Sequence, residues 1–594
     1  MPLEESSQTP CNPRKIQRNH SGCRACRRRG KKCDEAKPTC RACTRLRLDC
    51  SYGVDYAFCN IDSRSYQKQP INHVQQSQPV SCSNHKELRV VSFSAHSRSG
   101  IPLDISNSAV NLETQYLDHF MRHVRHLLPA LSISCPSHYL QSAPLRAAAV
   151  CISASNLSML HAQIQSRSPH TNPPYSLFSP RVNTLHHSQA RTYHDQALSH
   201  CTLSTPATDT ESNPATTLTA LTLLAYYHHA STSHTHFRHA VWKTFHFVTF
   251  HRETLSSTPD GLASLQTWYR LCISHRLSKP PSLLLEGEGK STFGPNRYPD
   301  SLDDIYMQCI LGMSADDLIY DIMIKTIEIR NKVVVFRAVA GRSGVNGTER
   351  GVGAVAHDLL TRLIGNEDDP DLRGEADRGF VRGEHLLGLL DIQKSRLDVW
   401  KSRVSDDNRS EGSTVLPTHR DAINALYSLL CQMMFVECHA ATASATRTVP
   451  SSSTPLDTLA SSLICILSTM NLTMSATSDI YTFSLTEVLL QFTLIYKSAT
   501  TFSYIFNTIW SQLDARARGY EHSHYPTHLV KRIIGLLAEL WDQGRDVSFA
   551  VPAFGEGVSK VRLLDVYAPA EVVICGRSVA GEGGKCFVEK IALP

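Results

Sequence analysis

The sequence predicts two unlike folds in one chain: a short cysteine-held module near the N-terminus and a large all-α unit after it. Three observations predict this. Six of the 19 cysteines fall between Cys23 and Cys50, in a duplicated pattern. From about residue 111 to 543, apolar residues recur at three- and four-residue spacing, the period of a helix buried along one stripe. Strand-like alternation is scarce before residue 545.

Length and composition narrow the class further. At 594 residues the chain is too long for one core, since a domain usually holds about 100–200 residues. Hydrophobic residues make up 41%, enough to bury a large interior, so wholesale disorder is excluded. No stretch reaches the ~18 uninterrupted apolar residues of a membrane span. The nearest, 459–476, is broken by Ser461, Ser462, Ser468, Thr469 and Asn471, and reads as a buried helix. The N-terminus, Met1-Pro2-Leu3-Glu4-Glu5, is acidic and lacks the apolar core of a secretory signal. A soluble, intracellular protein with no membrane partner is expected.

The net charge of +6 hides an asymmetry. Residues 11–50 carry 13 Lys and Arg against three Asp and Glu, leaving 47 basic and 51 acidic residues elsewhere. The positive charge belongs to one short segment, and such a footprint points to a polyanionic partner.

From Cys23 to Cys50, within residues 11–52, the cysteines run Cys23-x2-Cys26-x6-Cys33-x6-Cys40-x2-Cys43-x6-Cys50. The half Cys-Arg-Ala-Cys followed by a third cysteine starts at Cys23 and again at Cys40. Each half offers three sulfurs, one short of a closed tetrahedral zinc site. Two zinc ions need eight ligand positions and six thiolates are present. The gap closes if two thiolates each bridge both ions, with Zn–S near 2.3 Å and one bridge per half. Metallation leaves about +8 on the segment, so it stays basic. So short a unit has too few large apolar residues to fold by burial. Zinc therefore supplies its folding free energy, on the order of 10 kcal/mol per ion. A disulfide framework would need an oxidising compartment, and a catalytic zinc an open position. Neither fits as well.

Residues 53–110 are rich in Ser, Gln, Asn and His, with little periodicity, and read as a flexible polar linker. From 111 to 543 one all-α unit is expected. Leu117, Phe120, Val124 and Leu127 form its first stripe, which Pro129 ends. Further stripes run through 145–160, 217–230, 237–250, 261–276, 302–312, 317–339, 421–440, 456–474, 484–512 and 526–542. Breaks are expected at 166–183, 277–300, 341–384 and 401–417, and Ser314 with Asp317 reads as a helix start. No period of 20–50 residues repeats there, so a regular solenoid is not supported. Residues 544–594 are richer in Gly, Val and Pro, without a clear period, and form a tail of unassigned role.

The run Ser21-Gly22-Cys23-Arg24-Ala25-Cys26-Arg27-Arg28-Arg29-Gly30-Lys31-Lys32-Cys33 through Pro38 to Cys43 closely resembles the fungal binuclear zinc cluster transcription factors. The resemblance covers about thirty residues. It implies a small six-cysteine binuclear zinc cluster module at the N-terminus, followed by a large all-α regulatory domain. The metal ligands would be Cys23, Cys26, Cys33, Cys40, Cys43 and Cys50, with Cys23 and Cys40 bridging. Each half would be a short helix and an extended strand, joined at Pro38. The first helix would enter the major groove of double-stranded DNA at short G·C-rich triplets such as CGG. The position four after the second cysteine, often a base-reading Lys, is Gly30 here. Arg29 and Lys31 flank it and substitute, since a basic side chain can donate to guanine O6 and N7. Arg24, Arg27, Lys32 and Arg41 would contact phosphates, which position the module without reading sequence. Arg28 belongs to the same basic run, which also suits a nuclear localisation signal.

Other signals are weaker. Leu283 to Thr292 imitates the end of a phosphate loop, and Gly351-Val352-Gly353-Ala354-Val355-Ala356 a dinucleotide fingerprint. The first lacks its opening glycine and the second its preceding strand. His119, His123 and His126 share a helical face, and His228, His229, His234, His236 and His239 cluster, without a His-Glu-x-x-His pattern. They read as polar-face or interface histidines. Asp303-Asp304-Ile305-Tyr306-Met307 suits an acidic activation segment or an amphipathic helix. No motif brings a nucleophile, a base and an oxyanion donor together, so an enzyme is not expected.

The expected function is a nuclear, sequence-specific regulator of RNA polymerase II genes, with two zinc ions and with transcription machinery or co-regulators as partners. The alternative is a zinc-cluster interaction protein or co-regulator that does not read DNA sequence. Residues 53–110 sustain no heptad, and Pro70, Pro79 and Pro102 interrupt any helix, so no coiled coil follows the module.

Overall fold

The computed structural model describes residues 25–26, 33–34, 36, 39–46, 48 and 50 of the N-terminal module. It then describes 105–128, 140–160, 163–166, 178–181, 183–203, 213–230, 234–278, 283, 302–343, 349–364, 380–407, 418–440, 454–514, 527–553, 571–578 and 584–593. The chain divides into two compact units, one holding the cysteine module and the other most of residues 96–594. Among the module's described residues, helix α1 spans Arg41–Leu46.

The large unit is mostly helical. Helix α2, Ile105–His119, begins inside the stretch read as linker and runs on through a π-helical turn, Phe120–Val124, to Leu127. Helix α3, Ala143–Leu160, packs between α4, Thr184–Leu203, and α5, Pro214–Ala230. Ala147, Ala148, Ala149, Val150, Cys151 and Ile152 are all buried, and these mostly small side chains let neighbouring helices approach from every side. Helix α6, His234–Phe250, and α7, Pro259–His275, close over α5. Trp268 on α7 is fully buried and donates its indole N–H to Thr244 Oγ1 at 2.8 Å.

Helix α8, Asp303–Leu311, buries Ile305 and Tyr306 while Asp304 pairs with Arg252 at 2.8 Å, which is the amphipathic-helix reading of that acidic segment. Helix α9, Ala315–Ser343, has 29 residues and so spans about 44 Å at 1.5 Å per residue. Ser314 caps it: the Asp317 N–H donates to Ser314 Oγ at 3.1 Å, and Ser314 Oγ donates to the Asp317 carboxylate at 2.7 Å. Helices α10, Glu349–Ile364, α11, Gly383–Asp407, and α12, His419–Ala440, follow. Then come α13, Pro455–Thr469, α14, Leu485–Ile495, and α15, Thr527–Asp542. Capping boxes start α13 at Thr454 and Asp457 and α14 at Ser484 and Glu487. The single stripe read over 484–512 is in fact broken after Ile495, and Ser498 caps a second helical segment. No helix among the described residues is long and apolar enough to cross a membrane.

The strands lie at two places. A short antiparallel hairpin pairs β1, Gln163–Ser166, with β2, Phe178–Arg181. The C-terminal segment, read as a tail of unassigned role without a clear period, forms a three-stranded antiparallel sheet of β3, Arg545–Pro552, β4, Glu571–Ser578, and β5, Cys586–Ala592, with β4 central. Gly544, at φ 75°, makes the turn from α15 into β3. The sheet packs on α9, where Gly341 is needed: a Cβ there would lie 2.5 Å from Cys586 Sγ.

Helix α9 carries charge into this interior. Asp321 and Lys325 are fully buried and paired at 3.0 Å, and Arg396 of α11 reaches Asp321 at 2.5 Å. Burial works to raise the Asp321 carboxyl; Lys325 and Arg396 overcome it, and the net shift is downward. Glu328 is held between Arg276 at 2.5 Å and Lys332 at 3.1 Å. Arg330 donates to both Glu437 oxygens, at 2.6 and 2.8 Å. Removing one member of such a pair strands the other charge. Arg330→Ala should therefore destabilise the chain by about 3–5 kcal/mol, and Arg330→Met with Glu437→Leu by clearly less, read by denaturant unfolding.

A second pair gives a pH signature. His419 Nε2 lies 2.9 Å from Asp479 Oδ1. Burial works to lower the imidazole, and the Asp479 hydrogen bond and charge overcome it, so the net shift is upward. With the folded value above the unfolded one, about 6.5, the pair's contribution is full below that pH. It is lost as pH rises through the folded value. The gap in thermal midpoint between the natural chain and His419→Gln should be widest near pH 6 and shrink towards pH 8.

Candidate metal centre

Five of the six module cysteines lie among the described residues, and they come together. The sulfurs of Cys26, Cys33 and Cys40 all lie within 4.8 Å of one another, and so do those of Cys40, Cys43 and Cys50. Cys40 belongs to both groups. Cys26 Sγ and Cys40 Sγ are 3.7 Å apart, which matches the ~3.8 Å edge of a tetrahedron with 2.3 Å Zn–S bonds. Cys26, Cys40 and Cys43 are fully buried, with Ala25 and Ala42 packed against them.

Local backbone explains why the sulfurs converge. Cys40 precedes α1 and caps it with sulfur, accepting the Cys43 N–H at 3.4 Å. Its carbonyl accepts the Thr44 N–H at 2.9 Å and the Thr44 hydroxyl at 3.1 Å. The Cys-x2-Cys spacing therefore places Cys40 and Cys43 on one end of one helical turn. The Cys40 N–H donates to Cys50 Sγ at 3.3 Å, drawing the third sulfur back onto the helix start. Such N–H donation to ligand sulfur is the outer shell that orients a thiolate and spreads its charge. Asp34, from the first half, accepts the Arg41 N–H at 3.2 Å on both carboxylate oxygens. It ties the two halves together at an otherwise orphaned helix donor. Sequence reasoning missed Asp34, because its acceptor role spans seven residues and matches no capping-box spacing.

The side chain of Arg41 is 95% exposed. Cys23, Arg24, Arg27, Arg28, Arg29, Lys31, Lys32 and the joining Pro38 lie outside the described residues.

The donor set fits zinc: soft thiolate sulfurs at tetrahedral edge length, with Cys26, Cys40 and Cys43 closed from solvent. Residues 21–55 match the family model of the fungal Zn(2)-Cys(6) binuclear cluster domain. The cluster domain is one that holds two zinc ions. Cys26, Cys33 and Cys40 would hold one ion and Cys40, Cys43 and Cys50 the other, with Cys23 completing both as the second bridge. Bound there, the ions supply structural cross-links and no open coordination position.

Three relatives match stretches of the chain. The Transcriptional regulatory protein pro1 of Neurospora crassa is 34% identical over 92 residues, covering 16% of this chain and 13% of that protein. The Sterol uptake control protein 2 of Candida albicans is 42% identical over 52 residues, 9% of this chain and 7% of its own. Its namesake in Saccharomyces cerevisiae is 51% identical over 35 residues, 6% and 4%. The chain thus spans a small fraction of the length of the curated relatives it matches. No solved structure matches.

Because Cys40 serves both sulfur groups, Cys40→Ala should lose both tightly held zinc ions together, whereas a peripheral ligand gone should strand only its own. Elemental analysis of the purified full chain reads this directly. A Cys40→Ala protein that keeps one zinc per chain would show that the two ions are held independently.

Proposed function

We propose that this chain is a nuclear, sequence-specific DNA-binding regulator of RNA polymerase II transcription. The observation that carries the reading is the convergence of two three-sulfur groups on Cys40, in a segment matching a fungal cluster domain. A closed structural zinc pair does no chemistry of its own, so its use is to hold a surface in shape. Here that surface carries 13 basic residues in forty positions, the footprint of a polyanion. The relatives' printed names, which include a transcriptional regulatory protein, support the same direction.

In this reading Arg29 and Lys31 donate to guanine edges of a G·C-rich, CGG-like triplet. Arg24, Arg27, Arg28, Lys32 and the exposed Arg41 contact phosphate and fix the register. The helical unit acts as the regulatory part, meeting transcription machinery or co-regulators. Catalysis has no place in it.

Selection of bound sites from a random DNA library tests the reading, with enrichment of a short G·C-rich motif expected. No enrichment with intact zinc content would favour an interaction protein that does not read sequence. Arg29→Ala and Lys31→Ala should each cost about 1–3 kcal/mol on the selected site and relax its preference. Lys32→Ala should weaken all DNA alike and lower the salt slope by about one unit. Titrations at several salt concentrations separate the two behaviours.

A further inference from the structure

Away from the cluster domain, imidazoles converge where α4, α5 and α6 pack together. His194 of α4 and His228 of α5 point Nε2 at Nε2 across 3.0 Å, their rings set at 74°. His194 Nδ1 lies 2.9 Å from Asp195 Oδ1. The carboxylate takes the Nδ1 proton as a hydrogen bond, which leaves the His194 Nε2 lone pair facing His228. His236, at the start of α6, stacks on His228 with ring centroids 5.4 Å apart. Tyr227 flanks His194 at 5.4 Å. The His194 side chain is 18% exposed, so solvent reaches the pair. The sequence pattern grouped His228 with His236 but gave no reason to join them to His194, 34 residues earlier.

We propose that His194 and His228 form a binding site for a divalent transition-metal ion, with the two Nε2 atoms as its protein ligands. Two nitrogens 3.0 Å apart can both lie ~2.0–2.1 Å from one ion, the ordinary metal–imidazole bond length. The angle they subtend there is about 90–95°, closer to the right angle of square-planar or octahedral ions than to a tetrahedron. Ni2+ and Cu2+ therefore suit the pair better than Zn2+ does. The Asp195–His194 contact is the carboxylate–histidine arrangement that orients metal-binding rings.

The proton balance is simple. With His194 protonated on Nδ1, the hydrogen between the two Nε2 atoms belongs to His228. On metal binding it moves to the His228 Nδ1, and no proton need leave the site. Lys243 lies near enough for its charge to act on the His228 ring. Lys243 opposes the ion's charge and the Asp195 carboxylate offsets it. The site is accordingly weaker than the thiolate cluster, and it is independent of whether the chain reads DNA.

The test uses the untagged full chain loaded with two zinc ions, titrated calorimetrically with Ni2+. One further Ni2+ per chain is expected, with a rise in thermal midpoint. His194→Asn and His228→Asn, checked for natural circular dichroism and zinc content, should each weaken Ni2+ by at least tenfold. Asp195→Ala should weaken it about tenfold, in the range seen for outer-shell partners of ligand histidines. A measurement on the natural protein alone stands beside these variants: one equivalent of Cu2+ should show hyperfine coupling to two imidazole nitrogens by electron paramagnetic resonance. Ni2+ that binds the His194→Asn chain as tightly as the natural one, or Cu2+ without nitrogen coupling, overturns the proposal. The pair is then a hydrogen bond joining two helices and nothing more.

Discussion

Six sulfurs must fill eight coordination positions, and everything in the N-terminal module follows from that shortage. A shared thiolate has to stand where both groups can reach it, and the structure puts Cys40 there, at the start of α1. The position serves three demands at once. The sulfur caps the helix by accepting the Cys43 N–H, belongs to both sulfur groups, and leaves its own N–H for Cys50. Asp34 then holds the helix start from the other half. Backbone donors that a larger protein would satisfy within longer elements are spent here on sulfur and one carboxylate. Little apolar area backs this arrangement: Leu46 and Leu48 are 40% and 38% exposed. Metal takes the place of a hydrophobic core.

The helical unit solves the opposite problem, an excess of apolar surface that could pack in more than one register. Helix α9 is long, buried over most of its length, and touched by α7, α10, α12 and the terminal sheet. A uniformly apolar helix could slip by a turn against such neighbours. The ion pairs on α9 close in one register: Asp321 reaches Arg396 on α11, Arg330 reaches Glu437 on α12, and Glu328 reaches Arg276 after α7. Each is costly to desolvate, so together they contribute more to specificity than to net stability. Capping boxes at Thr454 and Ser484 and the serine caps at 314 and 498 fix where neighbouring helices begin.

The sequence made the sulfur pattern and most amphipathic helices legible, and the failures have physical causes. Helix α4 was not seen because its buried positions include Ala190 and Ala197, too small to mark a stripe in a segment with four histidines. Helix α10 lies in a stretch of Gly and charge that read as a break, and the glycine pattern there opens this helix with no strand before it. The phosphate-loop imitation keeps only Leu283 among the described residues. The terminal sheet hid for a different reason. Strand β4 buries Val572 through Gly576 without interruption, and a strand covered on both faces carries no period of two. The ion pairs that join α9 to Arg276, Arg396 and Glu437 were invisible because these partners lie 52 to 107 residues away.

The same contrast decides what each part of the chain responds to. Thiolate binding competes with protons, so the module's folding free energy falls with acid and with chelators, while the apolar burial that dominates the helical unit depends on neither. Salt divides them in the other direction. The exposed basic run acts through charges in water, which a Debye length of about 8 Å at physiological ionic strength curtails. The α9 pairs are buried and screened far less. Residues outside the module sum to a slightly negative charge, so the helical unit adds no electrostatic attraction of its own for a polyanion. Recognition of nucleic acid then rests on some forty residues whose shape depends on two ions.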